Sequence, residues 1–295
     1  MRVADAVAEA ARTLADAHIA SPRVDAELLA AFVLGVPRGR LLTAEFTPEQ
    51  ASRFHGLVRR RSARVPLQYL TGSAPFRHLE LAVGPGVFVP RPETETVVGW
   101  GLDWLDRAGP AALVVDLCSG SGAIAAAVAT ERPGVRVVAV ERDPAALEWL
   151  RRNVLALGLA DRVRVVEGDA TDPATLSELD GQVDLVLTNP PYVPEIGAAG
   201  LPPEVSEHDP HIAVFAGTDG LAVIRPLIGR VAALLRPGGG FVVEHDETHA
   251  YVVPTLVHTD GRFARVELHH DLGRRPRFTT ATRAPDPARV ADLRP

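Results

Sequence analysis

The first quarter of the chain carries hydrophobic residues at helical spacing. Apolar positions recur every three to four residues over residues 2–19, which predicts an amphipathic helix. A second helix is predicted to begin at Ser21-Pro22, because proline is favoured at the first helical position. Thr47-Pro48-Glu49-Gln50 combines an N-cap, a proline and a capping-box glutamine, and it opens a third predicted helix that ends near Arg64. We therefore expect a helical bundle domain over residues 1–72.

From about residue 111 the pattern changes to short apolar runs that alternate with helical spacing. Such alternation is typical of a parallel sheet that is covered by helices on both faces. The last two apolar runs are separated only by a Gly-Arg-Arg turn, so the sheet is predicted to end in an antiparallel hairpin. The predicted fold is therefore α/β and Rossmann-like, with a mostly parallel sheet. The predicted strands are 113–117, 136–140, 163–167, 183–188, 241–244, 264–271 and 276–282.

Residues 73–92 link the two predicted domains. Two short apolar runs, 76–83 and 87–89, flank Gly84-Pro85-Gly86 and are predicted to be the strands of a hairpin. The end of the chain contains several prolines and no apolar periodicity, so a loose tail is expected there. The remaining boundaries that we predict are 93–284 for the α/β domain and 285–295 for the tail.

The tetrapeptide Asn189-Pro190-Pro191-Tyr192 directly follows the apolar strand 183–188. Because proline cannot continue a sheet and restricts the residue before it, Asn189 is expected to be held rigidly at the carboxyl end of the strand. Ligands of open α/β sheets bind at that end. The Asn189 side-chain oxygen and the Pro190 carbonyl could converge on one planar NH2 group, to which Tyr192 offers an aromatic face. The tetrapeptide is the predicted catalytic motif, and an ordinary proline turn is the alternative.

A glycine-rich loop lies where the first strand of the α/β domain turns into its helix. Its glycines let the backbone approach a ligand, and the helix N-terminus supplies polar N–H groups. The match to G-x-G-x-x-A is weak evidence alone. Acidic residues follow at the ends of the next two strands, where one would bind ribose hydroxyls and the other an adenine edge. The alternatives are a surface acid and a turn residue. The predicted adenosine pocket consists of Asp116, Cys118, Ser119, Gly120, Ser121, Gly122, Glu141 and Asp169.

An adenosine pocket could hold either NAD or S-adenosylmethionine. A hydride-transfer enzyme has no use for two fixed acceptors that face an NH2 group. A methyltransferase that acts on an amide or an exocyclic amine needs them, because the nitrogen lone pair of such a group is delocalised. Acceptors for both N–H bonds hold the nitrogen and favour the positive charge that develops as it attacks a sulfonium methyl. The tetrapeptide therefore favours S-adenosylmethionine.

The composition of the chain limits its expected partners, its possible chemistry and its expected location. The net charge of −6 argues against a general nucleic-acid binder, and all 31 basic residues are Arg, which excludes a lysine Schiff base. A single cysteine, Cys118, acidic residues near the start and the absence of a long apolar run predict a cytoplasmic protein without a membrane segment. The third predicted helix also carries a basic run, which is either a solvated face or a docking surface for an acidic or RNA-bound partner: Arg59, Arg60, Arg61 and Arg64.

Three motifs that occur in order resemble those of the release-factor glutamine methyltransferases: Phe88–Glu95, Asp116–Gly122 and Asn189–Tyr192. The resemblance extends from about Arg64 to Arg274, with a helical domain in front. It implies a class I methyltransferase fold and S-adenosylmethionine as the cofactor. It also implies methylation of the side-chain amide of the glutamine in the Gly-Gly-Gln motif of class 1 peptide chain release factors. By position, the cofactor would contact residues 118–122, Glu141, Ala170 and Asn189, while Asn189, Pro190, Pro191 and Tyr192 would hold the glutamine.

One stretch departs from the family pattern, and a second stretch can be interpreted in two ways. After the fifth strand the family usually has Glu-x-Gly-x-x-Gln, whereas Asp246 and His249 stand here at the glycine and glutamine positions. This difference concerns contacts at the edge of the pocket. The loop after the tetrapeptide is interpreted as polar and substrate-facing, with a metal site as the alternative. Its candidate ligands are Glu204, Glu207, His208, Asp209 and His211.

Other functions stay open at the level of sequence. They are methylation of a glutamine in a ribosomal protein, methylation of an adenine amino group in nucleic acid, and cofactor binding without catalysis. The lack of a target-recognition domain and the acidic α/β domain argue against duplex nucleic acid as a direct partner. We expect Cys118 to be a packed loop residue and not a nucleophile. We further expect a monomer without a metal ion, whose residues 1–72 grip the protein substrate.

Overall fold

The structure is a computed structural model that describes residues 1–196 and 200–285. Apart from Pro285, the predicted tail therefore lies outside the described residues. The chain divides into two compact units. The helical unit comprises Met1–Ser73, Val83–Pro85 and Leu201–Asp209. The α/β unit comprises the other segments, which are Ala74–Ala82, Gly86–Gly200 and the chain from Pro210 onward.

The helices and strands have the following bounds in chain order. The α-helices are α1 Val3–Asp16, α2 Pro22–Leu34, α3 Pro48–Ser62, α4 Leu67–Thr71, α5 Thr94–Ala108, α6 Ala123–Glu131, α7 Pro144–Ala156, α8 Pro203–Ser206, α9 His211–Val214, α10 Ile224–Leu234 and α11 Val252–Thr259. The strands are β1 Ser73–Phe76, β2 Leu79–Ala82, β3 Leu113–Leu117, β4 Arg136–Glu141, β5 Val163–Glu167, β6 Val183–Thr188, β7 Leu235–Glu244, β8 Phe263–His270 and β9 Pro276–Arg283. Within the described ranges, no helix is both long and apolar enough to cross a membrane.

The third helix of the helical unit, α3, begins with the predicted capping box. The Gln50 backbone N–H donates to Thr47 Oγ1 at 3.2 Å, and the Thr47 backbone N–H donates to Gln50 Oε1 at 2.9 Å. Both donors would otherwise be unsatisfied at the start of α3. The apolar stripes of α1, α2 and α3 meet in one core, whose fully buried side chains include Val3, Leu14, Leu29 and Phe54.

A cluster of ion pairs lies inside the helical unit. Arg61 donates to Asp25 at 2.7 Å and to Glu204 at 2.8 Å, and Arg64 donates to Glu204 at 2.6 Å. Burial acts to raise the pKa of Glu204, but the hydrogen bonds from Arg64 and Arg61 bring it below its ordinary value. Glu204 is therefore ionised and held by two arginines, which occupies the first of the suggested metal ligands.

This cluster changes the interpretation of the basic run. Its glutamate comes from Leu201–Asp209, a segment that the sequence assigned to the α/β domain but that packs within the helical unit. Of the four arginines in the run, only Arg59 and Arg60 are exposed. With its acidic residues from Leu201–Asp209, the helical unit contains as many acidic residues as arginines, ten of each. The unit as a whole is therefore uncharged, and any basic surface is local to the end of α3.

The central sheet of the α/β unit has seven strands in the order β5-β4-β3-β6-β7-β9-β8. Strands β5, β4, β3, β6 and β7 are parallel, while β9 is antiparallel to both of its neighbours. The predicted mostly parallel sheet with an antiparallel hairpin at its end is thus confirmed. In β6, Leu185 and Leu187 pack on one face and Val186 on the other, which explains why this strand is apolar without alternation.

The predicted hairpin of the linker is wrong in its position. Strands β1 and β2 pair with each other through a turn at Arg77 and His78, and residues 87–89 form no strand. Arg77 has a left-handed φ of 53°, and its backbone N–H donates to Glu95 Oε1 at 3.0 Å. Its guanidinium pairs with Glu131. Side chains from α5 and α6 hold this turn, so no glycine is needed and no local sequence pattern marks it.

Connections on the two sides of β3 create the crevice in which the site lies. From β3 the chain continues to β4 on one side, and it later returns to β6 on the other. The register pairs Leu117 with Thr188 and Glu141 with Glu167, so these strands end at one edge of the sheet. In open α/β sheets, ligands bind at such a topological switch point.

Candidate active site

The loop after β3 presents open backbone at this crevice. Gly120 has a φ of 53°, and a Cβ built on it would meet no atom within 4 Å. The loop is anchored from inside, because Ser119 Oγ donates to the Asp116 carbonyl at 2.9 Å and Asn153 Nδ2 donates to the Ser121 carbonyl at 2.9 Å. Both serines are buried. The loop therefore leaves open space for a ligand beside Gly120, while its two serine side chains are buried.

Cys118 and Gly122 give the loop its curvature. Cys118 has a φ of 60°, which non-glycine residues adopt rarely and at some cost. Burial raises the pKa of its thiol, which disfavours the reactive thiolate. That Cys118 is a packed loop residue and not a nucleophile stays a prediction. Gly122 has a φ of 85°, which side-chain-bearing residues rarely adopt, and a Cβ there would come within 2.5 Å of Leu150 Cδ1 in α7.

Glu141 closes one side of the loop from the end of β4. Its Oε2 accepts a hydrogen bond from the Gly120 backbone N–H at 2.8 Å. Its Oε1 accepts from the backbone N–H groups of Arg142 and Asp143, each at 2.8 Å. A carboxylate has about four acceptor positions, so one on Oε2 is left for a further donor such as a ribose hydroxyl. Glu141 thus fits an adenosine pocket and also fixes the loop.

Asp116 has no exposed surface, unlike Glu141. Its Oδ2 accepts from the Ala125 backbone N–H at 3.1 Å, and burial raises the pKa of the carboxyl to about 7. Although direct contact with the cofactor was predicted for Asp116, its position is that of a support beneath the loop and the start of α6. The backbone N–H groups of Ser119, Gly120 and Gly122 already donate within the protein. Contacts of the cofactor with these loop residues stay a prediction.

Asp169 and Ala170 follow β5 at the same edge of the sheet. Asp169 Oδ1 accepts from the Thr171 backbone N–H at 2.8 Å, and Oδ2 pairs with Arg142 at 3.0 Å. Burial acts to raise the pKa of Asp169, yet the bonds from Thr171 and Arg142 leave it below its ordinary value. The carboxylate is therefore ionised and part of a turn, with acceptor positions to spare. Ala170 is buried. Their contacts with an adenine stay a prediction.

The tetrapeptide directly follows β6, beside the glycine-rich loop. Pro190 and Pro191 are buried, and Asn189 and Tyr192 are partly buried. Asn189 Nδ2 donates to Thr94 Oγ1 at 3.0 Å. No hydrogen bond from the described part of the chain reaches Asn189 Oδ1 or the Pro190 carbonyl. The two acceptors on which the prediction rests are therefore both available.

Two buried residues next to the tetrapeptide received no role from the sequence. Thr94 begins α5, and Glu244 ends β7. Glu244 Oε1 accepts from the Tyr192 hydroxyl at 3.0 Å. Burial raises the pKa of Glu244 to about 7, while the hydrogen bond from the Tyr192 hydroxyl acts in the opposite direction. Both residues stand in motifs quoted for the family. Only the fold brings Thr94 to Asn189, 95 positions away, and Glu244 to Tyr192, 52 positions away.

The two residues that depart from the family pattern have structural partners. Asp246 caps the turn Glu247–His249, with its Oδ1 accepting from the Thr248 backbone N–H at 2.9 Å. His249 is buried, and its Nε2 lies 2.9 Å from the Asp219 carbonyl. The His249 ring packs against Gly220, whose backbone in turn lies against the Tyr192 carbonyl. His249 and the Tyr192 carbonyl thus both lie against Gly220.

Comparisons with known proteins agree with this architecture. The family model described as the PrmC N-terminal domain matches residues 5–72, and that described as Conserved hypothetical protein 95 matches residues 69–199. The chain is 51% identical to the release factor glutamine methyltransferase of Mycolicibacterium smegmatis, over 96% of this chain and 98% of that protein. It is also 41% identical to the 4-amino-L-phenylalanine/4-methylamino-L-phenylalanine methyltransferase of Streptomyces pristinaespiralis, over 89% of each.

A solved structure shares the fold at low sequence identity. It is the hMettl16 catalytic domain in complex with the MAT2A 3′UTR hairpin 6, with a TM-score of 0.56 and 16% identity. The match covers 83% of this chain and 85% of that chain. At this identity the likeness supports the fold alone.

The sheet order, the antiparallel last strand pair, the open glycine loop and the acidic end of β4 together define a class I S-adenosylmethionine-dependent methyltransferase. The cofactor supplies a methyl group on a sulfonium centre. The relatives that match almost the whole chain at high identity identify the family within this class. The chain belongs to the release factor glutamine methyltransferase family.

A substitution at Glu141 tests the predicted cofactor pocket. We expect Glu141→Ala to weaken the binding of S-adenosylmethionine by about 1–3 kcal/mol, because charge-assisted bonds to the ribose and the anchor for Gly120 are both lost. Glu167→Ala is the matched control, since Glu167 pairs with Glu141 in the sheet register but is exposed. Isothermal titration calorimetry measures both. Equal affinities for the two variants would mean that the ribose binds elsewhere.

Proposed function

We propose that this protein transfers the methyl group of S-adenosylmethionine to the side-chain amide nitrogen of the glutamine in the Gly-Gly-Gln motif of class 1 peptide chain release factors. The observation that carries the proposal is the pair of available acceptors, Asn189 Oδ1 and the Pro190 carbonyl, next to the cofactor loop in a member of this family. A substrate of the translation machinery also agrees with the cytoplasmic location expected from the sequence.

The proposed roles follow from the chemistry of an amide. Its nitrogen is a poor nucleophile, since its lone pair is shared with the carbonyl group. Acceptors at Asn189 and Pro190 orient both N–H bonds, and they interact more strongly as the nitrogen becomes positive in the transition state. The N–C bond forms as the S–C bond breaks, and one proton then leaves the nitrogen. No base is needed before the attack. Tyr192 would pack its ring against the planar amide.

A second candidate substrate is a small aromatic amine. It is favoured by the relative at 41% identity that is named for two aminophenylalanines. An amino group on an aromatic ring is planar in the same way, so the tetrapeptide alone would suit it. The chain's match to the PrmC N-terminal domain and its higher identity to release factor methyltransferases favour the protein substrate. Glutamine in a ribosomal protein and adenine in nucleic acid are further NH2 groups of this kind.

A competition between acceptors tests the proposal. The protein is incubated with methyl-labelled cofactor and a purified class 1 release factor, a release factor with alanine in place of the target glutamine, or 4-amino-L-phenylalanine. We expect label only in the unaltered release factor. Transfer to the alanine variant would place the methyl group on another residue. Transfer to the amino acid in preference to the release factor would support the second candidate instead.

The helical unit is proposed to dock the protein substrate through the exposed end of α3. The unit carries no part of the candidate active site, and Arg59 and Arg60 are the exposed arginines of its basic run. We expect Arg59→Glu/Arg60→Glu to raise the KM for release factor by about tenfold through lost electrostatic attraction, with little change in kcat. Steady-state kinetics on full-length release factor measure both constants.

The matched control for this pair is Arg12→Glu/Arg40→Glu. It makes the same change in charge at two other exposed positions of the helical unit. A similar rise in KM for both double variants would indicate a general charge effect. An unchanged KM for the Arg59 and Arg60 variant would contradict docking at this surface.

A further inference from the structure

Exposed apolar side chains are distributed unevenly over the α/β unit. Single apolar residues at a protein surface are normal and need no explanation. Among the described residues of this unit, however, five of the six exposed bulky apolar side chains lie in the connections that follow β6, β7 and β8. These five are Ile196, Ile212, Tyr251, Val252 and Leu272, and the sixth is Leu155 in α7.

The turn between β8 and β9 lies at the same edge of the sheet as the tetrapeptide. Strand β9 is antiparallel to both of its neighbours, so β8 runs parallel to β7 and ends at the same edge. The register pairs Glu244 with Phe278, and the His245 backbone N–H donates to the Arg277 carbonyl at 2.9 Å. The residues of this turn, 271–275, therefore stand beside the end of β7.

The distance from this turn to Asn189 suits a bound peptide. Strands β9 and β8 are two and three positions from β6 in the sheet. Neighbouring strands are spaced by about 4.8 Å, so the turn lies roughly 10–15 Å from the line of β6. An extended chain covers about 3.3–3.6 Å per residue, so it reaches the turn within roughly three to five residues of the group that Asn189 holds.

A buried aspartate fixes the conformation of the turn. The Asp271 backbone N–H donates to the Arg275 carbonyl at 2.9 Å, and the Arg275 backbone N–H donates to Asp271 Oδ1 at 3.0 Å. Arg277 Nε donates to Asp271 Oδ2 at 3.1 Å. Outside this frame, Leu272 is 95% exposed, and Arg274 is exposed as well. A turn that is already ordered binds a partner at a lower cost in conformational entropy.

The charge of the turn is opposite to that of the unit that carries it. The whole chain has a net charge of −6 and the helical unit is uncharged, so the α/β unit is acidic. Arg274 and Arg275 are adjacent and both exposed, and no carboxylate in the described part of the chain pairs with either guanidinium. The turn therefore combines an apolar side chain with two positive charges, which complements an acidic segment that also carries an apolar residue.

The sheet leaves this side of the tetrapeptide for the acceptor. The predicted cofactor residues follow β3, β4 and β5, which all lie on one side of β6, whereas β7, β9 and β8 lie on the other. We propose that Tyr251, Leu272, Arg274 and Arg275 form a docking surface for the residues that flank the target glutamine in the protein acceptor. This inference rests on the proposed function for the identity of the partner.

Serine variants test the apolar part of the docking surface. We expect Leu272→Ser and Tyr251→Ser each to raise the KM for full-length release factor by about tenfold, because apolar area that the partner would cover is removed. The kcat and the affinity for cofactor should stay unchanged. Leu155→Ser is the control, since Leu155 is 68% exposed near the end of α7, which leads to the amino end of β5. Equal KM values for Leu272→Ser and Leu155→Ser would overturn the proposal.

Glutamine variants test the charged part. Arg274→Gln/Arg275→Gln is expected to raise the KM for release factor by about tenfold at low ionic strength, and to make that KM less dependent on salt than in the wild type. Arg107→Gln/Arg265→Gln is the matched control, because both arginines are exposed and lie toward the amino ends of strands. Arg265 also shares the left-handed backbone of Arg274, with φ values of 51° and 61°. The same salt dependence in both double variants would contradict docking at the turn.

Cross-linking without methyl transfer separates this inference from the proposed function. The photoreactive amino acid p-benzoyl-L-phenylalanine is incorporated at position 272 or at position 155, and the protein is mixed with class 1 release factor and S-adenosylhomocysteine. We expect a cross-link from position 272 to residues near the target glutamine, and none from position 155. The absence of a cross-link from position 272 would overturn the docking surface. A cross-link there, with no methyl transfer by the wild type, would contradict only the proposed function.

Discussion

Asn189→Ala is expected to lower the single-turnover rate of methyl transfer by roughly 10²–10³-fold, by analogy with removal of one donor from an oxyanion hole. The substitution removes one of two acceptors for the substrate N–H groups, and the loss falls on the transition state, where the nitrogen is becoming positive. Affinities for cofactor and release factor should change less, since most of their contacts lie elsewhere. The measurement is a rapid-quench experiment with labelled cofactor and full-length release factor.

Asn189→Asp is the more selective variant at the same position. It keeps an oxygen toward the substrate but loses the N–H that Asn189 donates to Thr94. The introduced carboxylate would add a negative charge beside the cofactor sulfonium, whose ground state it would stabilise. We therefore expect a rate between those of the wild type and the alanine variant. An alanine variant as fast as the wild type would contradict this account of how the amide is activated.

Gly220→Ala is expected to unfold more easily than the wild type by more than about 2 kcal/mol and to lose most activity. Gly220 has a φ of 73°, and a Cβ there would come within 2.3 Å of the Tyr192 carbonyl oxygen and 2.8 Å of His249 Cε1. Backbone must therefore move, and the backbone in question belongs to the catalytic motif. Chemical denaturation and the single-turnover rate measure the two effects.

Gly261→Ala separates backbone strain from this close approach. Its φ of 78° is nearly the same, but a Cβ there would meet no atom within 4 Å. It should cost about 1 kcal/mol of stability and leave the rate of methyl transfer unchanged. If the two alanine variants lost equal stability and both kept their activity, the contact between Gly220 and Tyr192 would have no functional importance.

Local signals in the sequence were sufficient for most of the fold. The capping box at Thr47 and Gln50 depends on residues three positions apart, and the structure has it as predicted. The apolar runs of β3 and β6 likewise need no distant partner to be recognised, because both faces of a parallel strand are buried. The tetrapeptide could be placed at the carboxyl end of β6 for the same reason.

Features that depend on distant residues could not be predicted in this way. The turn at Arg77 is held by Glu95 and Glu131, and Gly84-Pro85-Gly86 offered a stronger local signal at the wrong place. Glu204 joins the helical unit through Arg61 and Arg64, some 140 residues earlier. Such pairs become adjacent only in the folded chain.

The candidate site also contains both local features, which could be predicted, and features that depend on distant residues, which could not. Acceptors and glycines could be assigned because their chemistry is local to a motif. The hydrogen bond from Asn189 to Thr94 could not, because the two residues are 95 positions apart in the chain. Asp116 shows the converse case, since a residue inside a binding motif is fully buried and supports the loop.

The most direct test of the central claim is to find where the methyl group goes. Full-length class 1 release factor is incubated with the protein and methyl-labelled S-adenosylmethionine, digested, and sequenced by tandem mass spectrometry. The account predicts one methyl group on the side-chain amide of the glutamine in Gly-Gly-Gln, with little product when Asn189→Ala replaces the wild type. A methyl group on any other residue, or none on the release factor while a small aromatic amine is methylated, would contradict it.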